Sequence, residues 1–233
     1  MNKVYSSVDD ALADIPDGAS IAIGGFFTAG TPITLIQALA RQGVKDLTII
    51  CMQMGPGNEE ITELVLKKQI KKAICNYPFY RSASKGFNSP FEQAVRAGEI
   101  ELEVYPMGTF IEKLRAAGAG IAGFYTPTGA GTVVEQEKEK RVFNDQEYLL
   151  ELALKPDYAF VYAYQGDPLG NLICRKTAIN YNPEMAKAAK ITIAAVENLL
   201  NAGQLNPDMV HIPGIYVQRV VKVERSNYLP SID

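Results

Sequence analysis

The stretch Asp17-Gly18-Ala19-Ser20-Ile21-Ala22-Ile23-Gly24-Gly25-Phe26-Phe27-Thr28-Ala29-Gly30-Thr31-Pro32 constrains the fold more than any other. It runs from a turn through a short apolar strand and a glycine-rich bend to a proline that suits the first turn of a helix. This order puts free backbone N–H groups at the carboxyl end of a strand, where open α/β sheets take their ligands. Gly24 and Gly25 let the backbone approach a ligand closely and reach positive φ. The helix opened by Pro32 favours negative charge at its N-terminus by up to ~1 kcal/mol. The same residues also suit a tight strand-to-helix turn with no ligand. The spacing is neither that of a dinucleotide fingerprint nor that of a P-loop.

Short β-rich runs alternate with helical patterns through the first half, which predicts a parallel sheet. Strands are expected at 21–24, 47–52, 72–77 and 100–106, and helices at 8–13, 32–42, 91–97 and 108–117. Gly43 is the expected C-cap of the second helix, and Gly55-Pro56-Gly57-Asn58 a loop leading to a helix that ends at Leu66. Val133–Gln136 and Lys140–Phe143, with a turn at Asn144-Asp145, read as antiparallel strands of a flap spanning about 132–150. Core strands return at 158–164 and 191–196, around a helix at 183–189. Residues 212–224 alternate like an edge strand, and 227–233 read as a loose tail. The expectation is one domain over 1–233, an α/β doubly wound parallel-sheet sandwich with a small inserted β-flap.

A chain of 233 residues, 47% of them hydrophobic and 21% charged, can bury a sizeable core. The net charge of −3 gives no electrostatic reason to expect nucleic acid or an anionic membrane as partner. Cys51, Cys75 and Cys174 are scattered and read as buried reduced thiols. No apolar run approaches the ~20 residues that span a bilayer, and the first residues lack a signal peptide's apolar segment. A cytoplasmic protein is expected. With His211 as the single histidine, a His-based metal site or serine-type triad has little to stand on, so no metal is expected.

A second glycine-rich stretch runs from Ala117 to Thr132, with Phe124 and Tyr125 in its middle. So many glycines cost conformational entropy, and long irregular loops in compact domains usually serve function. The aromatic pair suggests packing against something, although a flexible surface loop also fits. No catalytic constellation emerges. Glu59 and Glu60 suit a helix N-terminus, Glu135, Glu137 and Glu139 alternate as a solvated face, and Asp157 and Asp167 fit turns. His211 reads as a loop residue. No nucleophile has a visible activating partner, so an enzyme of this sequence would draw its nucleophile from elsewhere.

Over nearly its whole length the chain resembles the A subunits of family I coenzyme A transferases. The resemblance rests on the first glycine motif, on Gly118-Ala119-Gly120, on Phe124-Tyr125-Thr126-Pro127-Thr128-Gly129 and on Gly131-Thr132. Gly170-Asn171-Leu172, Asn180-Tyr181-Asn182-Pro183 and Pro213-Gly214-Ile215-Tyr216-Val217 extend it. It implies the fold shared by these transferases and the sugar-phosphate isomerases. It also implies transfer of CoA between an acyl-CoA and a short-chain carboxylic acid, by a ping-pong route through a glutamyl–CoA thioester. In two-chain members the glutamate lies on the B subunit, so the resemblance implies a heterotetramer, no catalytic residue in this chain and no permanently bound cofactor, CoA being a substrate. The implied substrate and CoA contacts are Gly24, Gly25, Phe26, Phe27, Thr28, Gly30, Met52, Gln53, Met107, Gly108, Phe124, Tyr125, Thr126 and Gly129.

Three departures from the 3-oxoacid group bear on substrate choice. Cys51-Met52-Gln53-Met54-Gly55 stands where that group tends to carry Ser-Asn-Asn-Ala-Gly, and Pro106-Met107-Gly108-Thr109 where it has Pro-Gln-Gly-Thr. Phe27 replaces a glycine common in relatives. Thioethers and a ring in place of amides and glycine imply a less polar acyl pocket, favouring monocarboxylic groups, unless these residues support the pocket without lining it. The alternative reading is a non-catalytic ligand-sensing or interaction module on the same fold, since fold alone does not fix function.

Overall fold

Side-chain alternation along the strands sorts the core into two layers. In β2 (Ser20–Ile23) Ile21 and Ile23 belong to one buried cluster and Ala22 to the other. In β9 (Tyr158–Gly166) Phe160 and Tyr162 face the first cluster, Ala159, Val161 and Ala163 the second. β11 (Ile191–Leu199) repeats the division with Ile193 and Ala195 against Ala194 and Val196. A strand covered on both faces reads as nearly continuous apolar sequence, as these do.

The structure is a computed structural model that describes residues 2–54, 59–79 and 89–224. Among the described residues nine strands form one sheet. Its main path runs β1 (Val4–Tyr5), β12 (Arg219–Lys222), β11, β9, β2, β3 (Leu47–Cys51), β4 (Ile70–Cys75), β5 (Glu101–Val104), every pair parallel. β10 (Leu172–Ile173) pairs antiparallel with β9. Helices α1 (Val8–Leu12), α2 (Ile33–Gln42), α3 (Glu59–Leu66) and α4 (Pro90–Arg96) cover the face of large residues. α5 (Met107–Gly118) and α6 (Asn182–Ala188) cover the other. There the small side chains Ala22, Ala159, Ala163 and Ala194 let them pack close. This is the doubly wound α/β arrangement. Its strand order reverses beside β2, so the loop after β2 sits at the switch point where such sheets bind ligands.

A separate three-stranded antiparallel sheet has the order β6 (Gly123–Thr126), β8 (Gln146–Leu152), β7 (Lys140–Phe143). The expected strand at Val133–Gln136 is instead a 3-10 turn over Val133–Glu135, closed by Thr132 accepting from the Val134 N–H. The third strand comes from the second glycine-rich stretch, which is not one irregular loop. It holds the end of α5, a turn and β6, because Gly123–Thr126 finds a full ladder on β8. Within 212–224 only Arg219–Lys222 is strand, and β1 covers it, so it is not an edge; Gly214–Tyr216 is a 3-10 turn. α2 ends at Gly43, whose N–H donates to the Leu39 carbonyl. The expected loop at 55–58 and tail at 227–233 lie outside the described residues. Among the described residues no helix is long and apolar enough to cross a membrane.

One carboxylate ties three strands together at the amino edge of the sheet. Asp157 accepts from the Ser20 N–H at 3.1 Å and hydroxyl at 2.6 Å, and Lys190 Nζ lies 2.7 Å away. Burial pushes its carboxyl up, but Lys190 and Ser20 outweigh that and hold it at about 2, below the ordinary 3.8. A depressed acid stabilises the fold above its unfolded value and loses that contribution as pH falls from 3.8 towards 2. Asp157→Asn is therefore expected to lower stability at neutral pH by about 1 kcal/mol, discounted for solvent screening. The gap to the wild type should shrink between pH 4 and 2, which urea titrations across that range would measure; a constant gap refutes the assignment.

Candidate functional site

The carboxyl edge of the parallel strands gathers four loops, after β2, β3, β4 and β5. After β2 the chain turns back on itself. Phe26 N–H donates to the Ala29 carbonyl and Ala29 N–H to that of Phe26, both at 3.0 Å. Phe27 sits in the turn at φ 52, the left-handed region that a bulky residue occupies only under constraint. The Thr31 hydroxyl donates to the Phe27 carbonyl at 2.7 Å and holds the turn in place. The Phe26 ring stacks on Tyr181, centroids 6.3 Å apart and planes 15° apart, while Phe27 meets Phe26 edge-on.

Asn182, wholly buried at the start of α6, holds this turn against the sheet. Its Oδ1 accepts from the Tyr162 N–H at 3.0 Å, and its Nδ2 donates to the carbonyls of Gly30 at 3.0 Å and Ala178 at 2.8 Å. A Cβ on Gly24 would stand 2.1 Å from Asn182 Oδ1, and Gly30, at φ 71, faces Ala178 and the same asparagine. The first requirement on these glycines is thus the close approach of the chain's own Asn182.

Beside this turn, a cleft of about 430 Å³ opens between the first turn of α5 and the small sheet. Met107, Gly108 and Thr109 form one wall, Phe124 and Thr126 of β6 the other, and Tyr181 the base towards Phe26. α5 starts after Pro106 with no side-chain cap, so its leading N–H groups are available to an anion. The Thr109 hydroxyl is buried without a hydrogen-bond partner, as are Gln53 Nε2 and Asn76 Oδ1 at the ends of β3 and β4. Such orphaned groups normally mark contact with a water or ligand, or a functional constraint, because each costs desolvation energy. Among the described residues that line the cleft none is cationic; Glu112, its one carboxylate, pairs with Arg115 at 2.5 Å.

The expected site residues therefore divide. Phe26, Met107, Gly108, Phe124 and Thr126 surround or adjoin the cleft, and Phe27, Thr28 and the glycines 24, 25 and 30 shape the turn next to it. Met52 is 2% exposed and packs in the core beneath, so its thioether supports without lining. Gln53 is buried and bridges to Tyr77. Tyr125 lies on the other face of β6, where it meets Phe143 and donates to Glu139. Gly129 turns at φ 92 beside Val134. Sequence reasoning misses Thr109, Thr128, Tyr181 and Asn182 as site residues. An asparagine before Pro183 reads locally as a helix start, and nothing nearby announces partners at Gly30 and Tyr162.

The three thiols offer no nucleophile. Burial pushes Cys75 and Cys174 up to about 12, and Cys51 well above its ordinary value. Cys51 donates to the Gln53 carbonyl at 3.0 Å. His211 Nδ1 accepts from the Cys174 N–H at 3.2 Å and braces a loop.

A family model described as Coenzyme A transferase matches residues 5–223. The A subunit of the succinyl-CoA:3-ketoacid coenzyme A transferase of Helicobacter pylori strain J99 is 47% identical over 225 residues, 97% of this chain and 94% of that protein. The A subunit of the 3-oxoadipate CoA-transferase of Pseudomonas putida is 42% identical, over 96% of this chain and 94% of that protein. Among solved structures, the acyl-CoA transferase of Escherichia coli O157:H7, as a thioester complex with CoA, superposes with a TM-score of 0.82 at 25% identity. That match covers 99% of this chain and 49% of the other, so this chain spans about half of it.

Proposed function

The chain belongs to the coenzyme A transferase family as an A-type subunit, and from that premise we propose how it works. Paired with a B subunit in a heterotetramer, it moves CoA between an acyl-CoA and a short-chain carboxylic acid. The partner supplies a glutamate that attacks the acyl-CoA carbonyl and expels CoA thiolate, leaving an acyl–glutamyl anhydride. The thiolate then attacks the glutamyl carbonyl and releases the first acid, giving a glutamyl–CoA thioester. The second acid runs the same steps in reverse. Two easier steps replace one hard one, and the thioester bond is conserved throughout.

The observation that carries this reading is the cleft. An uncapped helix start, an apolar wall and an orphaned hydroxyl meet at the carboxyl edge of the sheet. The N–H groups of Met107 and Gly108 suit a substrate carboxylate or a developing oxyanion, where loss of one well-placed donor typically costs about 3 kcal/mol. At the end of β3, Gln53 holds a buried amide nitrogen that lacks a partner. Met107, Phe124 and Tyr181 receive the acyl chain. With no cationic lining residue, a second carboxylate on the acyl group meets no counter-charge from the described residues of this chain. Monocarboxylates are then preferred over succinate.

Reconstitution tests the proposal. The chain alone should transfer no CoA, and the chain with its B subunit should do so readily. Borohydride added after acyl-CoA should reduce a glutamyl thioester to the alcohol on the partner, which peptide mass spectrometry locates. Transfer by the isolated chain, or the reduced residue appearing in it, overturns the proposal. On the reconstituted pair, higher kcat/KM with succinyl-CoA than with butyryl-CoA overturns the acyl preference.

A further inference from the structure

Behind the cleft lies a buried charge cluster that the reaction outlined above does not use. Lys113 Nζ on α5 lies 3.0 Å from Glu151 Oε2 on β8, their side chains 7% and 2% exposed. Lys138 Nζ reaches the other oxygen, Oε1, at 2.5 Å. The Tyr105 ring lies 4.3 Å from the Lys113 ammonium and 5.3 Å from that of Lys138. Its hydroxyl donates to Glu103, which Lys72 also holds at 2.9 Å. A line of alternating charge thus runs from β4 through β5 and α5 to the small sheet.

Its position bears on the cleft. Lys113 shares α5 with Met107, Gly108 and Thr109 of the first wall. Glu151 stands directly opposite Phe124 in the β6–β8 ladder, and Leu149 opposite Thr126. Directly paired residues project to the same side of a sheet, so Glu151 and Leu149 share the face that lines the second wall. Among the described residues the small sheet has no strand pairing with the large one. Among the described residues, the Leu154 N–H on the Lys113 carbonyl and this ion pair tie it to that helix, together with side-chain packing of α5 on β6 and β8. Buried ion pairs contribute little net stability compared with apolar packing, and where they are kept they can fix geometry. One carboxylate shared by two ammonium groups admits a narrow range of separations.

We infer that Lys113, Glu151 and Lys138 are positioning residues that set the distance between α5 and β6, and with it the width of the cleft. The inference rests on the reading of the cleft as the substrate site. Uncoupling the walls leaves the chemistry's own groups intact but misplaces them, and a shift of about 1 Å can cost 100-fold in rate.

Glu151→Gln and Lys113→Met test it in the enzyme assembled with its B subunit. Amide exchange over residues 107–112 and 123–126 should accelerate about tenfold in both, while β9 and β11 keep their protection. KM for acyl-CoA should rise about tenfold with a smaller fall in kcat, and Lys113→Arg should restore both to within about threefold. Unchanged exchange together with kinetic constants within about twofold of the wild type in both variants overturns the inference. If Glu151→Gln yields no folded protein, Lys138→Met on the more exposed arm decides. About threefold faster exchange at 123–126 supports the positioning role, and no change overturns it. Faster exchange in an assembly whose wild type transfers no CoA leaves the positioning role standing and removes the transferase reading instead.

Discussion

Asn182→Asp is expected to destabilise the chain by about 3–5 kcal/mol at neutral pH, although the two side chains have nearly the same shape. The Oδ1 that accepts from the Tyr162 N–H is kept. The Nδ2 that donates to Gly30 and Ala178 becomes an oxygen facing two carbonyls at about the same distances, 3.0 and 2.8 Å. A wholly buried carboxylate there has one donor and two repelling acceptors, so the folded state raises its pKa. The folded protein then binds a proton that the unfolded chain has released. The stability deficit should be largest above that raised pKa and should shrink as pH falls towards the unfolded value of about 3.9. Urea titrations of variant and wild type at several pH values measure this directly. A deficit below about 1 kcal/mol at pH 7, with no pH trend, refutes the clamp.

Gly24→Ala approaches the same contact from the other side. The added methyl carbon would lie 2.1 Å from Asn182 Oδ1, 2.8 Å from its Cγ and 3.3 Å from its Cα. No rotation about Cα–Cβ clears all three, so either α6 or the Phe26 turn moves. Overpacking of this kind costs about 1–3 kcal/mol, and the displaced turn should lower CoA transfer by about 100-fold in the assembled enzyme. The double variant Gly24→Ala/Asn182→Ala removes the two nearest clashing atoms. Its stability loss should therefore be smaller than the sum of the single losses. Strict additivity, measured by thermal denaturation of the four proteins, counts against a direct contact.

The parallel sheet and its helices are readable because their signals are short-range. Ile21, Ala22 and Ile23, and likewise Tyr158 to Ala163, form apolar runs too short for helices, bounded by Gly18 and Gly24 or by Pro156 and Gly166. The Pro32 and Gly43 boundaries of α2 follow from single-residue backbone preferences. Gly123–Thr126 escapes such a reading because the glycine, threonine and proline around it outweigh Phe124 and Tyr125. Only the ladder to β8, in which Tyr125 pairs with Leu150, turns the segment into a strand. Val133–Gln136 fails the opposite way. Its β-branched residues find no partner strand, and Thr132 caps them into a 3-10 turn.

The candidate site is half legible. The glycines after Ile23 point to the carboxyl end of a strand, where the loop after β2 lies, while α5 opens at Met107, one residue ahead of the helix expected at 108–117. Which thioether lines the cleft is not readable, since Met52 and Met107 each follow a strand and differ only in what later packs over them.

Sequence alone determined the α/β class, the strand-to-helix bend after Ile23 and the lack of a histidine-rich site, because periodicity, φ preference and composition act within a few residues. Tertiary structure alone decided that Asn182 reaches Gly30 across 152 residues and that Glu151 meets Lys113 across 38. Contacts at such separations depend on strand order and register, which emerge only when the layers pack together.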